Sequence, residues 1–146
     1  DRRGVNISIG TDGAASNNDL DMFGEMRQAA LLAKAVAKDP SSIPAHKALE
    51  MATINAAKSM AMEDRIGSIE VGKFADLVAV DMHSIETQPF YDVVSQLVYA
   101  TGRDKVTDVW VAGRQLLKDR QLTTLDESKV IQDARQWANS IKQAEQ

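Results

Sequence analysis

The residues best suited to chemistry lie near the start of the chain, in the stretch SIGTDGAASNN at positions 8–18. Val5 to Ile9 alternates apolar and polar side chains and Gly10 closes the run, a pattern that predicts a short strand. Asp12 follows two residues after Gly10, and a carboxylate at the carboxyl end of a strand is placed as a metal ligand or general base is in α/β proteins. Asp-Gly is also a common turn dipeptide, so both interpretations of Asp12 stay open.

Few other side chains could complete a metal site with Asp12. A catalytic zinc ion needs three protein ligands, which usually include imidazole. The chain has two histidines and no cysteine. His46 falls in a predicted helix and His83 follows a predicted strand, and neither belongs to an H-x-H or H-E-x-x-H pair. We therefore expect both to be ordinary surface or capping residues. The sequence has no glycine-rich phosphate loop and no Gly-x-Ser-x-Gly elbow.

The composition indicates one globular domain and argues against several functions. The 146 residues, 44% hydrophobic and 26% charged, suffice for a domain with its own core. The net charge of −4 disfavours a nucleic-acid-binding surface. No apolar run approaches the roughly 18–20 residues that span a bilayer. The lack of cysteine fits a reducing compartment. We expect a cytoplasmic protein with no nucleic-acid partner and no membrane partner.

The hydrophobic pattern places Asp12 between a strand and two helices. Apolar residues that recur every three or four positions predict a helix over 19–37, with Asn17 or Asn18 as its N-cap. A second helix is predicted over 44–62 from a similar spacing of alanines and methionines.

From position 63 onward the pattern changes to short strands. Ala75 to Val80 has too few polar positions for a half-exposed strand, so we expect a strand buried on both faces. Val106 to Val111 and Arg114 to Leu117 are predicted strands, joined by a two-residue hairpin turn at Ala112-Gly113. The remaining predicted elements are a turn at Pro89 to Tyr91, a segment from Val93 to Tyr99 that fits helix or strand, and a last helix capped by Asp126 with the apolar stripe Val130, Ala134, Trp137 and Ile141.

Several segments together resemble the amidohydrolase superfamily. The stretch GTDGAASNNDLDMFGEMRQAALLAK at 10–34 looks like the last barrel strand and helix of its 5′-methylthioadenosine/S-adenosylhomocysteine deaminase branch. Three further segments follow in the family's order, namely ALEMATINAAKSM, DRIGSIEVGKFADLVAVD and VSQLVYATGRDKVTDVWVAGRQLLKDRQLTTLDE. The glycine-lysine-x-alanine-aspartate-leucine element is common to many amidohydrolases, whereas TDGAASNN is selective for the deaminase branch.

The resemblance implies an α/β fold, namely the C-terminal part of a metal-dependent (β/α)8 barrel hydrolase plus half of a small β-sandwich domain. Residues 1–62 would be the last barrel strand and the helices after it, 63–125 the C-terminal half of a composite β-sandwich, and 126–146 a C-terminal helix. A barrel alone takes about 250 residues, and the chain does not open with methionine. We therefore expect an upstream portion of the same enzyme as a partner, and a homo-oligomer for the full-length protein.

The resemblance also assigns chemistry to Asp12. In such enzymes an H-x-H pair, a further histidine and the aspartate after the eighth strand hold one divalent metal ion, usually zinc, and Asp12 matches that aspartate. The metal produces hydroxide from bound water at neutral pH. The resemblance implies that hydroxide attacks C6 of the adenine ring, with Asp12 as both ligand and proton shuttle. Ser16 matches a pocket serine that contacts the nucleoside, and a helix-capping role for Ser16 stays equally open.

The expected function is hydrolytic deamination of 5′-methylthioadenosine or S-adenosylhomocysteine by the complete enzyme, with this chain alone inactive. Two alternatives stay open. The same fold could act on guanine, cytosine or a chlorinated triazine, or the chain could be a non-catalytic binding module in which Asp12 only forms a turn. Trp110 and Trp137 are expected in the core or at an interface rather than in a base-stacking platform.

Overall fold

The computed structural model describes residues 4–144, in which a helical part is followed by a small antiparallel sheet and a final helix. No helix among these residues is long and apolar enough to cross a membrane. The elements in chain order are α1 (Met22–Ala37), α2 (Ala45–Ala52), α3 (Ile54–Ser59), β1 (Leu77–Val80), α4 (Val93–Tyr99), β2 (Val106–Val111), β3 (Arg114–Lys118), β4 (Gln121–Leu122) and α5 (Glu127–Ala144), with short 3₁₀ turns at Ile85–Thr87 and Arg103–Lys105.

The strand predicted from Val5 to Ile9 is not formed in the structure. These residues belong to no β-ladder within 4–144. A strand is stable only when its backbone N–H and C=O groups pair with a neighbouring strand, and the four strands of the sheet pair with one another. The alternating pattern is typical of a strand, but no strand among the described residues pairs with it.

Helix α1 begins later than the pattern predicts, at Met22 rather than at position 19. Asp21 is its N-cap, because the Asp21 carboxylate accepts a hydrogen bond from the Phe23 N–H at 3.0 Å. Aspartate and asparagine are about equally good caps, so residue type alone does not decide among the candidates. Neither Asn17 nor Asn18 caps α1, and the helix ends at Ala37 as predicted.

The helix predicted over 44–62 is two helices with a break at Thr53. The backbone of Thr53 has φ −124° and ψ −96°, far from helical values. Its hydroxyl donates to the Leu49 carbonyl at 2.7 Å, which satisfies one carbonyl at the end of α2. Beside the break, the Met51 carbonyl accepts a hydrogen bond from the Ile9 N–H at 3.0 Å. The break thus gives the segment before Asp12 a backbone partner.

The helical core lies between α1, α2 and α4. The segment that fits helix or strand is the helix α4, capped by the Asp92 carboxylate, which accepts from the Ser95 N–H at 2.6 Å. Ile9 packs against the core from outside these helices, so the chain is anchored shortly before Asp12. The buried cluster consists of Met26, Ala30, Ala45, Ala48 and Val98.

The sheet confirms the predicted hairpin and adds one strand. Its order is β1-β2-β3-β4, with every pair antiparallel. Val111 pairs with Arg114 across the Ala112-Gly113 turn, and the turn residues have φ of 49° and 78°. Positive φ at both central residues is what a type I′ turn requires. The two-residue strand β4 is not indicated by the sequence pattern.

Strand β1 is shorter and more exposed than the sequence suggests. It spans Leu77–Val80 rather than 75–80 and is an edge strand of the sheet in the described residues. Val78 is 55% exposed, so the expectation of a strand buried on both faces is wrong for this structure. Burial of an apolar side chain depends on the elements that pack on its face of the sheet, and within residues 4–144 the Val78 side chain is not covered.

The last helix confirms its predicted cap but not a buried apolar stripe. The Asp126 carboxylate accepts from the Lys129 N–H at 3.1 Å. The stripe on α5 faces solvent, with Trp137 72% exposed, so Trp137 is not a core residue and its place at an interface stays a prediction. Trp110 is half-buried in β2, opposite Leu77.

A side chain at Gly67 should lower the stability of the folded protein. A Cβ there would lie 2.7 Å from the Ala57 Cβ and 3.0 Å from the Ile54 Cα, and the backbone φ is +89°. Gly72 has φ +97°, but a Cβ added to it would meet nothing within 4 Å. We expect Gly72→Ala to lower the free energy of unfolding by about 1–2 kcal/mol because of the left-handed backbone alone. Gly67→Ala should lower it clearly more, because the added Cβ also clashes with α3.

Urea unfolding midpoints of the full-length protein and the two variants measure this difference. Equal midpoints for Gly67→Ala and Gly72→Ala would contradict close packing of Gly67 against α3.

Candidate functional site

The segment before Asp12 is held by side chains and backbone of α2 and α3. The Asn6 amide donates to the Asn55 carbonyl at 2.9 Å, and the Asn55 amide donates back to the Ile7 carbonyl at 3.2 Å. Asn55 is only 6% exposed. Together with the bond from Ile9 to Met51, these contacts replace the ladder that a neighbouring strand would supply. They fix the position from which the chain enters the Asp12 turn.

Asp12 immediately precedes a tight turn and has an uncommon backbone conformation. Its φ is 60°, in the left-handed region that few residues other than glycine, asparagine and aspartate adopt readily. The Thr11 hydroxyl donates to the Asp12 carbonyl at 3.1 Å. Gly13 follows, and its carbonyl accepts from the N–H groups of Ser16 and Asn17 at 3.0 and 2.9 Å. A turn is therefore present, but it begins at Gly13 and has Ala14 and Ala15 at its centre, so Asp12 immediately precedes it and its carboxylate lies at the surface.

Each oxygen of the Asp12 carboxylate accepts one hydrogen bond. The Gly13 N–H donates to Oδ1 at 2.7 Å, and the Ser16 hydroxyl donates to Oδ2 at 2.7 Å. The Ser16 bond is the larger cause and the Gly13 bond the second cause of a lowered pKa for Asp12, and both outweigh a small opposing effect of burial. The carboxylate is exposed and ionised at neutral pH, as a metal ligand must be.

Ser16 lies beside Asp12 rather than at a helix end. Its Oγ is also 3.2 Å from the Gly13 carbonyl, but a hydroxyl has a single proton to donate, and the shorter bond is the one to Asp12. Asp21, not Ser16, caps α1. The structure thus brings together the two predicted site residues, and the exposed Ser16 oxygen can still accept a hydrogen bond from a ligand.

Neither histidine is among the hydrogen-bond partners of the Asp12 carboxylate, which are Gly13 and Ser16. His46 is exposed on α2, and His83 is exposed with its Nδ1 3.1 Å from Asp81 Oδ1. Within residues 4–144, no group of three or more histidine, cysteine, aspartate or glutamate side chains could hold a metal ion. Asp12 can therefore supply one ligand of a metal site, and the described residues contain no complete set.

The sequence pattern does not indicate that Asn17 and Glu25 are hydrogen-bonded to each other beside the Asp12 turn. The Asn17 amide donates to the Thr11 carbonyl at 2.9 Å and to Glu25 Oε1 at 3.0 Å. Glu25 lies in the first turn of α1, so Asn17 connects that helix to the Asp12 turn. Asparagine before a helix predicts a cap by its local preference, and nothing in the spacing predicts this bridge. Further along the loop, Asp19 forms an ion pair with Arg103.

Comparison with known proteins gives a consistent set of matches. The model of the amidohydrolase family matches residues 1–116. A 5-methylthioadenosine/S-adenosylhomocysteine deaminase from Teredinibacter turnerae is 51% identical over 140 residues, which are 96% of this chain and 32% of the relative. A 5′-deoxyadenosine deaminase from Methanosarcina mazei is 45% identical over 139 residues, 95% of this chain and 32% of the relative.

A solved structure shows the same similarity in three dimensions. The adenosine deaminase from Xanthomonas campestris with bound zinc matches with a TM-score of 0.93 and 54% identity, over 97% of this chain and 32% of that chain. The chain thus spans about a third of the length of the relatives it matches.

The Ser16 hydroxyl should control the titration of Asp12 in the metal-free protein. We expect Ser16→Ala to raise the pKa of Asp12 toward its ordinary value, because the largest cause of the lowering is lost. Ser41→Ala is the matched control, since the Ser41 hydroxyl donates to Asp39 at 2.7 Å and is the largest cause of the lowered pKa of Asp39. Carboxyl-carbon NMR titration of both aspartates measures the shifts.

The same two hydrogen bonds determine how the contribution of Asp12 to folding stability changes with pH. Because the folded-state pKa of Asp12 is lowered, its stabilising contribution is present above the unfolded-state pKa of about 3.9 and is lost as pH falls through the lowered folded-state value. Ser16→Ala should reduce that contribution. An unchanged Asp12 titration in Ser16→Ala, or an equal shift of Asp12 in Ser41→Ala, would show that the Ser16 bond does not set this pKa.

Proposed function

The chain belongs to the amidohydrolase family, and on this premise we propose that the complete protein hydrolytically deaminates adenine nucleosides such as 5′-methylthioadenosine or S-adenosylhomocysteine. The observation that carries the proposal is the exposed, ionised Asp12 carboxylate with Ser16 bonded to it. It lies in a chain that matches a zinc-containing adenosine deaminase with a TM-score of 0.93. Relatives 51% and 45% identical to the chain carry deaminase names.

Asp12 fits the role of a metal ligand. Each carboxylate oxygen accepts one hydrogen bond, which leaves lone pairs for a cation, because an ionised carboxylate can accept about four bonds. The zinc-containing relative supports a divalent metal, and we propose one zinc ion whose other ligands come from the rest of the complete protein, because residues 4–144 contain no complete ligand set. When bound, zinc supplies a water molecule with a pKa near neutrality.

The two predicted site residues then have separate roles. Asp12 is ionised at rest, so one of its carboxylate oxygens can take a proton from the attacking water and return it to the leaving ammonia. The Ser16 hydroxyl holds the second carboxylate oxygen in place at 2.7 Å. Because the Ser16 side chain is exposed, it can also contact the nucleoside. This chain alone is expected to be inactive, since it supplies one metal ligand.

The substrate class follows from the similarity of the chain to named relatives. The relatives at 51% and 45% identity are named for 5-methylthioadenosine/S-adenosylhomocysteine and for 5′-deoxyadenosine, and the solved structure at 54% identity is an adenosine deaminase. This supports an adenine nucleoside over guanine, cytosine or a chlorinated triazine. The homo-oligomer and the composite β-sandwich of residues 63–125 stay predictions within the same proposal.

Removal of the Asp12 charge tests whether this carboxylate is a zinc ligand and proton carrier. In the complete protein, Asp12→Asn keeps the size of the side chain but replaces an anionic ligand and proton carrier with a neutral amide. We expect zinc content to fall and kcat/KM for 5′-methylthioadenosine to drop by at least about 10²-fold. Asp39→Asn is the control, because Asp39 is also exposed and also bonded to a serine. Full deamination by zinc-loaded Asp12→Asn would refute the assignment.

A substrate panel tests the proposed class separately. The complete wild-type protein is assayed with 5′-methylthioadenosine, S-adenosylhomocysteine, 5′-deoxyadenosine, guanine, cytosine and a chlorotriazine. We expect turnover of the adenine nucleosides above the others. Preference for guanine, cytosine or the triazine would reassign the substrate while keeping the fold, and no turnover of any compound by the zinc-loaded protein would favour a non-catalytic module.

A further inference from the structure

The side-chain amide of Asn17 joins two positions of the loop that carries Asp12 to the first turn of helix α1. One of its N–H groups donates to the Thr11 carbonyl at 2.9 Å and the other to Glu25 Oε1 at 3.0 Å. Its Oδ1 accepts from the Asp19 N–H at 3.1 Å. The amide nitrogen has both of its protons engaged, so the orientation of the side chain is fully determined by its neighbours.

A hydrogen bond to the Thr11 carbonyl restrains the backbone conformation of Asp12. It belongs to the peptide unit between Thr11 and Asp12, and the orientation of this unit sets φ of Asp12. That φ is 60°, in the left-handed region, which aspartate reaches more readily than most residues but which still costs energy that the surroundings must offset. A hydrogen bond to this carbonyl therefore acts on the direction in which the Asp12 side chain leaves the backbone.

We propose that Asn17 is a positioning residue for Asp12, and that Glu25 fixes Asn17 from helix α1. The inference rests on the proposed function of Asp12 as a metal ligand. Glu25 is a firm attachment point because the next residue, Met26, is buried in the helical core. The connection runs from the core through Glu25 and the Asn17 amide to the peptide that precedes Asp12. Metal affinity should depend on this connection, since mutation of a group that orients a metal ligand typically lowers metal affinity or activity about 10–100-fold.

The first test replaces the amide with a carboxylate of the same shape. In the complete protein, Asn17→Asp loses both N–H donors and places negative charge against the Thr11 carbonyl and Glu25. Asn18→Asp makes the same chemical change at the neighbouring exposed residue. Zinc affinity is measured by competition with a chelator, together with kcat, KM and the melting temperature of the metal-free protein.

We expect zinc affinity to fall about 10–100-fold in Asn17→Asp and to stay at the wild-type value in Asn18→Asp. The loss should appear in kcat more than in KM, with the metal-free melting temperature close to that of Asn18→Asp. Wild-type zinc affinity in Asn17→Asp would overturn the inference. If Asp12→Asn itself leaves zinc affinity unchanged, the proposed function has failed instead, so the two failures are distinguishable.

The second test acts from the helix and does not alter the loop. Glu25→Gln keeps a side-chain carbonyl that can accept from Asn17, whereas Glu25→Ala removes the acceptor. A role of Glu25 limited to its favourable charge in the first turn of α1 predicts that both variants behave alike. We expect Glu25→Gln to retain zinc affinity and Glu25→Ala to lose it in the direction of Asn17→Asp. Equal zinc affinities in the two variants would overturn the inference even if Asn17→Asp does not fold.

Discussion

The hydrogen bond from the Ile9 N–H to the Met51 carbonyl is the contact on which the placement of Asp12 depends. Backbone groups that leave water need partners, and residues 6–9 have no neighbouring strand within the described chain. The partners come from both sides of the helix break at Thr53, Met51 before it and Asn55 after it. The break between α2 and α3, the extended segment and the Asp12 turn therefore form one unit, anchored to the core through Ile9.

Features set by neighbouring residues could be predicted from the sequence, and features set by distant partners could not. The end of α1 at Ala37, the Ala112-Gly113 hairpin and the Asp126 cap depend on local preferences and are confirmed. The break at Thr53 depends on contacts with a segment more than 40 residues earlier in the chain, and nothing in the local pattern of alanines and methionines indicates it. The exposure of Val78 depends likewise on what packs against its face of the sheet.

At the candidate site, too, residue types could be recognised from the sequence, whereas contacts between separate segments could not. The resemblance singles out Asp12 as a metal ligand and Ser16 as a substrate contact, and the structure adds the 2.7 Å hydrogen bond between them. The role of Asn17 could not be predicted, because asparagine near a helix start favours a cap, while its actual partners are Thr11 and Glu25 on either side of it. The carboxylate that the sequence singles out is thus oriented by residues whose importance appears only in three dimensions.

The proposed deaminase function requires Asp12 to be a zinc ligand in the complete protein. The decisive measurement is a crystal structure of the complete protein grown with zinc, with anomalous data at the zinc absorption edge. We expect a zinc ion with an Asp12 carboxylate oxygen at about 2.0–2.2 Å, beside histidine ligands from the rest of the complete protein. A fully ligated zinc ion with the Asp12 carboxylate outside its coordination sphere would contradict the proposed function.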